Sequence, residues 1–453
     1  MTQRPGRRQF VQAAAAAIAT SQFPILGANE RINVGIVGLG GRGNDHINSY
    51  NKLNTEVRIA GLCDVNQAAR ERAIATVKRT AGYTSPEFSD MRKMFESKDI
   101  DAVAITTPNH WHALATIWAC QAGKDVYVEK PASHNIYEGR QMVKAARKYN
   151  RMVQVGSQSR SLPFKQRAVQ LLREGVIGKV YHARGECYRR RFSIGKTPDS
   201  PVPAGVDWSL FLGPAQMRPF NANRFIYNWH WFWDTGNGDI GNQGVHEMDI
   251  ALWGLGVDGY PTSVSSTGGK FAWDDDQETP NTLQTTFSFP NAQLTFDTRN
   301  LPTPPEGVKG EFRPNYVGNI FFGDLGFMIL DHSGFEVYKS AAGNISGEAA
   351  RGAGAGGREK YELAMKEKSE PNDTEPHMLN FFKGVRARDH KLLNAEIEIG
   401  ARSAAYCHLG NNAYRAGRML KTDPKTGRVL GDAAAEAFGT RKYRAPYLVP
   451  ENV

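Results

Sequence analysis

Short apolar runs alternate with amphipathic segments through the first third of the chain. Each apolar run has the length of a buried strand, and each amphipathic segment has apolar residues at helical spacing. Strands are predicted near residues 33–37, 57–63, 102–106, 125–128 and 152–155, and helices near 42–52, 66–80, 110–122 and 137–149. Strands that alternate with helices form a parallel sheet with helices on both faces. The pattern therefore predicts a doubly wound α/β domain over residues 31–156.

The pattern changes after Gly156. A helix is predicted near 163–174, followed by strands with alternating polar and apolar residues, such as 282–289 and 293–297. We expect residues 157–453 to form an α+β domain with an open, mainly antiparallel sheet and helices on one face. A helical region near 377–418 is predicted to pack back on the first domain. Residues 301–310 and 341–358 are predicted to be loops, and the second of these is either a lid or a surface insertion.

A glycine pattern follows the first predicted strand. Gly38, Gly40 and Gly43 have the Gly-x-Gly-x-x-Gly spacing of a dinucleotide-binding turn. In such a turn the first glycine makes the tight bend, the second lets the backbone approach a pyrophosphate, and the third allows close packing of helix and strand. The phosphates then lie on free N–H groups at a helix N-terminus. We expect Gly41 and Arg42, within the same turn, to contact the cofactor as well.

An acidic residue ends the second predicted strand. Asp64 lies at the distance from the glycines at which an acid accepts hydrogen bonds from the ribose hydroxyls, which favours NAD. Arg70 lies nearby and keeps NADP open as a less favoured cofactor. The alternative for Asp64 is a turn residue that caps the next helix.

Composition is ordinary for a soluble protein of two domains. The chain has 453 residues, of which 40% are hydrophobic and 23% charged. Its net charge of +10 is dispersed except at Arg189, Arg190 and Arg191, so we do not expect nucleic-acid binding. This basic run fits either an anionic or polyhydroxy ligand or an exposed strand edge. The four cysteines lack C-x-x-C spacing, and no metal site is predicted.

The N-terminal residues have the pattern of an export signal. Arg7 and Arg8 precede a weakly apolar run and a small-residue stretch that ends at Ala28, so residues 1–28 resemble a twin-arginine signal peptide. The apolar run is too short to span a membrane, and we expect no stable membrane insertion. A basic, disordered N-terminus is the alternative. Export as a folded protein to the periplasm would favour a tightly bound dinucleotide that is recycled within each catalytic cycle.

Three further motifs resemble those of a known family. Residues 106–112 (TTPNHWH) follow one strand, Glu129-Lys130-Pro131 follows the next, and residues 236–249 (GNGDIGNQGVHEMD) open a helix of the second domain. Together with the glycine turn they make the chain similar to the Gfo/Idh/MocA family of sugar oxidoreductases. The resemblance implies a Rossmann domain joined to an open-sheet domain, a nicotinamide cofactor and a carbohydrate-like substrate between the domains. It also makes a homo-oligomer, a dimer or tetramer, plausible.

The resemblance assigns roles to individual residues. It implies that the nicotinamide is bordered by the loop of Thr107, Pro108, Asn109 and His112 and by Glu129 and Lys130. Lys130 corresponds to a lysine that stabilises the developing alkoxide or carbonyl, and His246 corresponds to the catalytic histidine. Asp249 lies three residues further along the predicted helix, on the same face as His246, and is predicted to orient its ring. The alternative for His246 is a histidine at a helix start whose ring is satisfied by the backbone.

One position departs from the family pattern. Asn242 occupies the place where many family members have an aspartate, and an amide can hold a hydroxyl group but cannot relay a proton. The base role therefore falls on His246 and Lys130, and Asp239 is either a substitute acid or a turn residue. The substrate is predicted to contact Tyr188, Arg191, His230, Trp231 and Asp239. The aromatic run at 228–234 fits sugar stacking and core packing equally well.

These features support three functions. The first is an NAD(P)-dependent oxidoreductase that acts on CH–OH groups of a sugar or a sugar-derived alcohol. The second is a glycoside hydrolase or lyase that oxidises the sugar transiently and returns the hydride, as some family relatives do. The third is a nucleotide- and sugar-binding protein without turnover, and it is disfavoured because both Lys130 and His246 are present.

Overall fold

The fold is described here from a computed structural model, and the described residues are 31–301, 316–340, 361–370 and 374–453. The predicted signal peptide at 1–28 lies outside the described residues. So does the predicted loop at 341–358, together with all of the predicted loop at 301–310 except Leu301.

Residues from Ile32 to Val155 form a six-stranded parallel sheet. Its strands are almost entirely buried on both faces, as in other parallel sheets covered by helices. The strands are β1 Ile32–Val37, β2 Val57–Cys63, β3 Glu87–Phe88, β4 Ala102–Ile105, β5 Asp125–Val128 and β6 Val153–Val155. The order β3-β2-β1-β4-β5-β6 reverses direction between β1 and β4, where ligands bind in doubly wound sheets.

Five helices connect these strands. They are α1 Gly41–Lys52, α2 Gln67–Ala81, α3 Met91–Phe95, α4 Asn109–Gln121 and α5 Ile136–Lys148. Local capping fixes several of their ends: the Asn135 side chain accepts from the Glu138 amide at the start of α5, and α2 ends at Gly82 in the left-handed conformation. The predicted doubly wound domain is confirmed.

A nine-stranded sheet dominates the rest of the chain. Its order is β14-β13-β12-β11-β7-β10-β9-β8-β15, and among the strands that the structure describes only the β7–β10 pair is parallel. The strands are β7 Val180–Tyr188, β8 Ser263–Gly269, β9 Thr282–Ser288, β10 Gln293–Arg299, β11 Tyr316–Gly323, β12 Gly326–Asp331, β13 Gly334–Ser340, β14 Tyr361–Lys368 and β15 Leu420–Lys421. The prediction of an open, mainly antiparallel sheet is confirmed.

Helices cover one face of this sheet. The helices of this part are α6 Pro163–Arg173, α7 Trp208–Leu212, α8 Gly238–Asn242 and α9 Gly244–Leu255. Residues of α6, α8 and α9 pack in the core of the sheet, whereas α7 packs in a separate cluster with Ala215 and Phe220. Leu172 of α6 and Met248 of α9 share a core with Phe296 and Phe321 of the sheet. This packing places the start of α9 at the boundary with the first domain.

The C-terminal helices join both domains. They are α10 Glu375–Ala387, α11 Ile397–Ala416 and α12 Ala433–Glu436. Phe381 and Phe382 of α10 lie in the core of the first domain beside β1, and α11 contributes Ile397 to the first domain and Leu409 to the second. Across the described ranges, no helix combines the length and apolar character needed to cross a bilayer.

Candidate active site

The glycine turn has the geometry that its spacing predicts. Gly38 has φ +90°, a conformation that side chains disfavour, and a Cβ on Gly43 would lie 2.1 Å from the Gly38 carbonyl oxygen. A Cβ on Gly40 or Gly41 would meet no atom within 4 Å, because both glycines border the open cleft. The backbone at Gly40 and Gly41 is therefore accessible to a pyrophosphate at the N-terminus of α1, so the turn fits a dinucleotide.

Asp64 lies at the end of β2 in the same cleft. Its carboxylate accepts hydrogen bonds from the amides of Leu39 (2.6 Å) and Asn66 (2.8 Å), while burial raises its pKa. Asn66, not Asp64, caps α2, so the capping alternative for Asp64 is wrong. Arg70 donates to the Asp64 carbonyl oxygen and to the Glu87 carboxylate, and it is not among the residues that line the cleft.

Glu129 anchors a buried charge cluster at the end of β5. Its Oε1 accepts from Arg42 Nε at 2.8 Å and lies 2.9 Å from His46 Nε2. Burial raises the pKa of Glu129, but Arg42 and His46 outweigh it and hold that pKa well below its usual range. A Cβ on Gly156 would lie 2.8 Å from the Glu129 carboxylate. Glu129 therefore organises the wall of the cleft through Arg42.

The loop after β4 forms the next wall. Thr107, Pro108, Asn109 and His112 all line the cleft, as predicted for a loop beside the nicotinamide. The ring nitrogens of His112 lie 2.7 Å from the Pro131 carbonyl oxygen and 2.8 Å from that of Thr107, so His112 ties two loops together. The Thr107 hydroxyl is buried and has no hydrogen-bond partner. This hydroxyl group is therefore available to form a hydrogen bond with a ligand.

Lys130 meets the second domain at Asn242. Its Nζ donates to the Asn242 carbonyl oxygen at 2.8 Å and to Oδ1 at 3.3 Å. Burial lowers the pKa of Lys130 to about 8, although the Glu129 carboxylate opposes this shift. An amine with such a pKa exchanges a proton near neutral pH.

Residues between β7 and α8 complete the cleft, whose volume is about 590 Å³. They come from the second domain and line the same cavity as the cofactor turn of the first. Sequence reasoning found Trp229 only as part of the aromatic run at 228–234 and missed the others, because the segment has no fixed spacing. The missed residues in this segment are Leu210, Phe211, Phe225, Ile226 and Tyr227, and Arg72 and Gln243 were missed elsewhere.

His246 lies at the start of α9 and faces a smaller chamber of about 310 Å³. Arg189 and Gln243 line both this chamber and the cleft, so the two cavities adjoin. His246 Nδ1 is buried and has no hydrogen-bond partner, which contradicts the alternative that the backbone satisfies the ring. Burial lowers the pKa of His246 well below its usual range, and the Lys130 ammonium lowers it further. The ring is neutral at pH 7.

The chamber carries further unpaired acceptors. Oxygen atoms of Gln158, Glu247 and Asn319 are buried without hydrogen-bond partners, and all three residues line it. Lys165, also buried in this wall, donates to the Ser159 hydroxyl at 3.3 Å. Several acceptors without donors fit a ligand rich in hydroxyl groups.

The predicted role of Asp249 is wrong. Its carboxylate accepts two hydrogen bonds from Arg160 (2.7 and 2.9 Å) and one from Ser403 (2.6 Å). Both oxygens are therefore occupied, and His246 Nδ1 lacks a partner. The spacing of three residues places Asp249 on the same helix as His246. Its carboxylate is nevertheless bound by Arg160, which lies between β6 and α6.

The predicted substrate residues separate into two groups. Arg191 and His230 line the cleft. Tyr188 is buried and donates to Asp297 and Glu186, so the prediction that it contacts substrate is wrong.

Asp239 and Trp231 contact residues that line the cleft but do not line it themselves. The carboxylate of Asp239 binds Arg191, Asn242 and Asn300, so it positions cleft residues and does not line the cavity, contrary to the prediction. Trp231 is 3% exposed and packs beneath the Arg191 guanidinium at 5.3 Å, outside the cleft. It lines a neighbouring cavity together with Arg189 and Arg191, so its predicted contact with the substrate stays a prediction.

Two family models match the chain. The model of an oxidoreductase family with an NAD-binding Rossmann fold matches residues 32–157, and the model of that family's C-terminal alpha/beta domain matches residues 176–276. The NAD cofactor predicted from the glycine turn is confirmed by the first match. No group of three or more His, Cys, Asp or Glu side chains within the described ranges is arranged to hold a metal.

Relatives resemble parts of the chain at low identity. A protein named glycosyl hydrolase family 109 protein 1, from Shewanella sp. (strain ANA-3), is 29% identical over 158 residues. This alignment spans about a third of the chain and about a third of the relative's length.

Solved structures share the fold. The WlbA dehydrogenase of Chromobacterium violaceum, in complex with NADH and UDP-GlcNAcA, has a TM-score of 0.62 at 19% identity, covering 89% of this chain and 99% of its own. A levoglucosan dehydrogenase in complex with NADH has a TM-score of 0.63 at 19% identity, covering 86% and 99%.

Proposed function

Because this chain belongs to the Gfo/Idh/MocA oxidoreductase family, we propose that it catalyses NAD-dependent hydride transfer at a CH–OH group of a sugar or a sugar-derived alcohol. The observation that carries the proposal is the junction of two cavities. The cofactor cleft contains Lys130, and the adjoining chamber contains His246 and unpaired acceptors for hydroxyl groups. Gln243 and Arg189 lie at the junction, where a substrate would reach both.

The cofactor supplies one part of the chemistry and the protein the rest. NAD, when bound, accepts a hydride from the carbon that carries the hydroxyl group. Lys130 holds the hydroxyl oxygen and stabilises negative charge that develops on it. Asn242 fixes the Lys130 ammonium through two oxygen atoms, at 2.8 and 3.3 Å.

His246 completes the proton path. Its neutral ring has an unpaired Nδ1 in the chamber, so it can accept a hydroxyl proton and return it. Asp239 acts on the site indirectly, since its carboxylate accepts hydrogen bonds from both Arg191 and Asn242. In this arrangement Lys130 and His246 act on the substrate, and Asp239 positions their neighbours.

The test is the absorbance of the reduced nicotinamide when sugars are added to the dinucleotide-loaded protein. We expect at least one sugar to raise this absorbance, and Lys130→Met to reduce the rate by two orders of magnitude or more. Lys442→Gln is the matched control, because Lys442 is an exposed lysine outside the cleft. Saturable sugar binding without any change in absorbance or any product would instead favour a binding protein.

A second candidate function is redox-neutral cleavage of a glycoside by transient oxidation. Two observations favour it: Asn242 cannot relay a proton, and the relative from Shewanella is named a glycosyl hydrolase. Release of a chromogenic aglycone from an aryl glycoside, dependent on bound NAD and without lasting reduction of the nicotinamide, would support this candidate. Persistent reduction until a second sugar is added would support the oxidoreductase.

Localisation and cofactor retention form a separate proposal. The arginine pair and the apolar run of residues 1–28 support export through the twin-arginine pathway, with the dinucleotide already bound. The cleft supports retention, because residues of the second domain such as Phe225 and Tyr227 line the same cavity as the turn that would hold the phosphates. Heat denaturation of purified protein should release NAD or NADH, detected by mass spectrometry. Absence of both would contradict retention.

The oligomeric state is also proposed from the family resemblance alone. We expect a homodimer or homotetramer. Sedimentation equilibrium measures the mass directly, and a monomer at micromolar concentration would contradict this proposal.

A further inference from the structure

A further polar cavity is lined in part by the loop that precedes α8. We call it the rear cavity. Its volume is about 320 Å³, and it is separate from both the cofactor cleft and the chamber of His246. Its wall is formed by the loop after β5, by α11, by the loop before α8 and by residues 437–441. The residues that carry the argument are His134, Trp233, Asn411, Asn412, Arg415 and Arg441.

Three buried side chains in this wall have an unpaired polar atom. They are His134 Nε2, Asn411 Oδ1 and Asn412 Nδ2, and each of these residues is at least nine-tenths buried. A buried polar atom without a partner costs free energy, typically about 1–3 kcal/mol. Three of them around one cavity therefore indicate that something polar occupies it.

The hydrogen on the His134 ring can be assigned. Arg441 Nη1 lies 3.3 Å from His134 Nδ1, and an arginine can only donate, so Nδ1 accepts. Burial and the Arg441 guanidinium hold the pKa of His134 well below its usual range, against a contact with the Trp233 backbone, so the ring is neutral. The neutral ring therefore carries its hydrogen on Nε2, which lies near the Trp233 backbone without a full hydrogen bond. Asn412 Nδ2 is an unpaired donor, and Asn411 Oδ1 is an unpaired acceptor.

Two guanidinium groups give the rear cavity a positive charge. Arg415 stacks on Phe438 at 4.1 Å, and Arg441 donates to the Asp234 carbonyl oxygen at 2.8 Å. Among the described residues neither arginine has an ion pair within 4 Å, although Asp234 and Glu278 act on Arg415 at longer range, and burial raises the pKa of Glu138 while Arg441 opposes that rise. The Asp234 carboxylate is the acid in the wall, and it is paired with Arg218 at 3.5 Å.

We propose that the rear cavity binds a small hydroxylated carboxylate, such as a sugar acid. Its carboxylate would accept from Arg441, from Arg415 and from the donors His134 Nε2 and Asn412 Nδ2. A hydroxyl group would donate to Asn411 Oδ1. The site does not depend on the proposed hydride transfer, because it shares none of the residues assigned to that reaction.

A chain of hydrogen bonds links the rear cavity to the cofactor cleft. Asn237 lines the cavity, its carbonyl oxygen accepts from Asn411 at 2.9 Å, and its Nδ2 donates to the His134 carbonyl oxygen at 3.0 Å. Its Oδ1 accepts from Asn109 Nδ2, and Asn109 lines the cleft beside the predicted nicotinamide position. A ligand in the rear cavity is therefore expected to change the affinity for the dinucleotide, and the dinucleotide the affinity for the ligand.

The test is calorimetric titration of the dinucleotide-loaded Lys130→Met variant with sodium gluconate. This variant is used because substrate turnover in the cleft would disturb the heat signal. We expect saturable binding of gluconate, and much weaker binding of glucitol, which lacks the carboxylate. Arg441→Gln should weaken gluconate binding about tenfold or more, since it removes a charge-assisted hydrogen bond. The adjacent Lys442→Gln is the matched control and should leave the affinity unchanged, because Lys442 is exposed and outside the wall.

A further variant keeps the proposal falsifiable. Arg415 lies at the rim and is exposed, so Arg415→Gln should fold even if Arg441→Gln does not, and it should also weaken binding. Absence of saturable gluconate binding would overturn the proposal and would indicate that water fills the cavity. Equal affinity in wild type, Arg441→Gln and Arg415→Gln would also overturn it, by placing the ligand elsewhere. An NADH affinity that is the same with and without gluconate would overturn the link through Asn237.

Discussion

Replacing Asn242 with aspartate, the residue that many family members carry, should raise the pKa of Lys130. In the structure Lys130 Nζ donates to Asn242 Oδ1 at 3.3 Å, and burial lowers the pKa of this lysine to about 8. Asn242→Asp places a negative charge at the same acceptor position. A nearby negative charge favours the protonated amine, so the pKa must increase.

The expected size follows from the distance. At 3.3 Å two unit charges attract each other by about 1 kcal/mol in water and by about 5 kcal/mol at an effective dielectric constant of 20. These limits correspond to about 1 and about 4 pKa units. The introduced carboxylate would also lose the hydrogen bond that Asn242 Nδ2 gives to Asp239 and would be repelled by it. We therefore expect a rise of about 1 to 2 units, near the lower limit.

Competitive labelling with acetic anhydride measures this pKa directly. Only the neutral amine reacts, so the labelled fraction of the peptide that contains Lys130, followed by mass spectrometry across a pH series, gives its titration curve. Asn51→Asp is the matched control, because Asn51 lies on α1 and its side chain bonds to Thr80, away from the cleft. The reasoning is refuted if the Lys130 curve does not move in Asn242→Asp, or moves to lower pH.

Three further predictions concern the first domain. Gly43→Ala should lower the free energy of unfolding of the ligand-free protein by about 3 kcal/mol or more in denaturant, because the added Cβ would meet the Gly38 carbonyl. Gly40→Ala should leave that free energy unchanged and weaken NADH binding. Equal behaviour of the two variants would contradict this account. Glu129→Gln should destabilise the protein by about 3 kcal/mol at pH 7, since it removes the buried partner of Arg42 and leaves the longer ion pair with the exposed Asp45, at 3.6 Å. The pKa of Glu129 is lowered on folding, so the wild type loses this stabilisation as the pH falls below about 4.3 and toward the folded pKa. If Glu129→Gln showed the same acid dependence of stability as the wild type, Glu129 would not have this role. Asp64→Asn should raise the ratio of NADPH to NADH affinity about tenfold in fluorescence titrations, because it removes the charge that repels a ribose phosphate; an unchanged ratio would mean that Asp64 does not select the cofactor.

The parts of the site that could be predicted are those with local causes. The glycine turn was predictable because its requirements lie within a few residues of chain: Gly38 adopts a positive φ, Gly43 packs against the Gly38 carbonyl, and Gly40 leaves the backbone open to a ligand. Asp64 follows at a fixed distance along the same unit. The doubly wound parallel sheet of the first domain follows from alternating strands and helices in the same way, although the short edge strand β3 and the order of the strands were not predicted. These features could be predicted because they depend on residues that are close together in the sequence.

The parts that could not be predicted depend on partners remote in sequence. Helical spacing placed Asp249 near His246, but Arg160, 89 positions away, takes its carboxylate. Tyr188 ends a strand, and the sequence does not reveal that its hydroxyl meets Asp297 on the neighbouring strand. The residues that cover the cleft come from a long irregular segment. Tertiary contacts decided these positions, and no spacing rule encodes them.

The cores of the two domains have a consequence for the order of folding. The first domain is not complete in its own segment of chain: Phe381 and Phe382 of α10 and the buried Tyr447 and Val449 fill its core. In the second domain, β7 pairs with β10 and β11, more than a hundred residues later. During synthesis neither core can close until nearly the whole chain has left the ribosome, so the usual advantage of folding the first domain early is lost. We therefore expect both domains to unfold together in one cooperative transition.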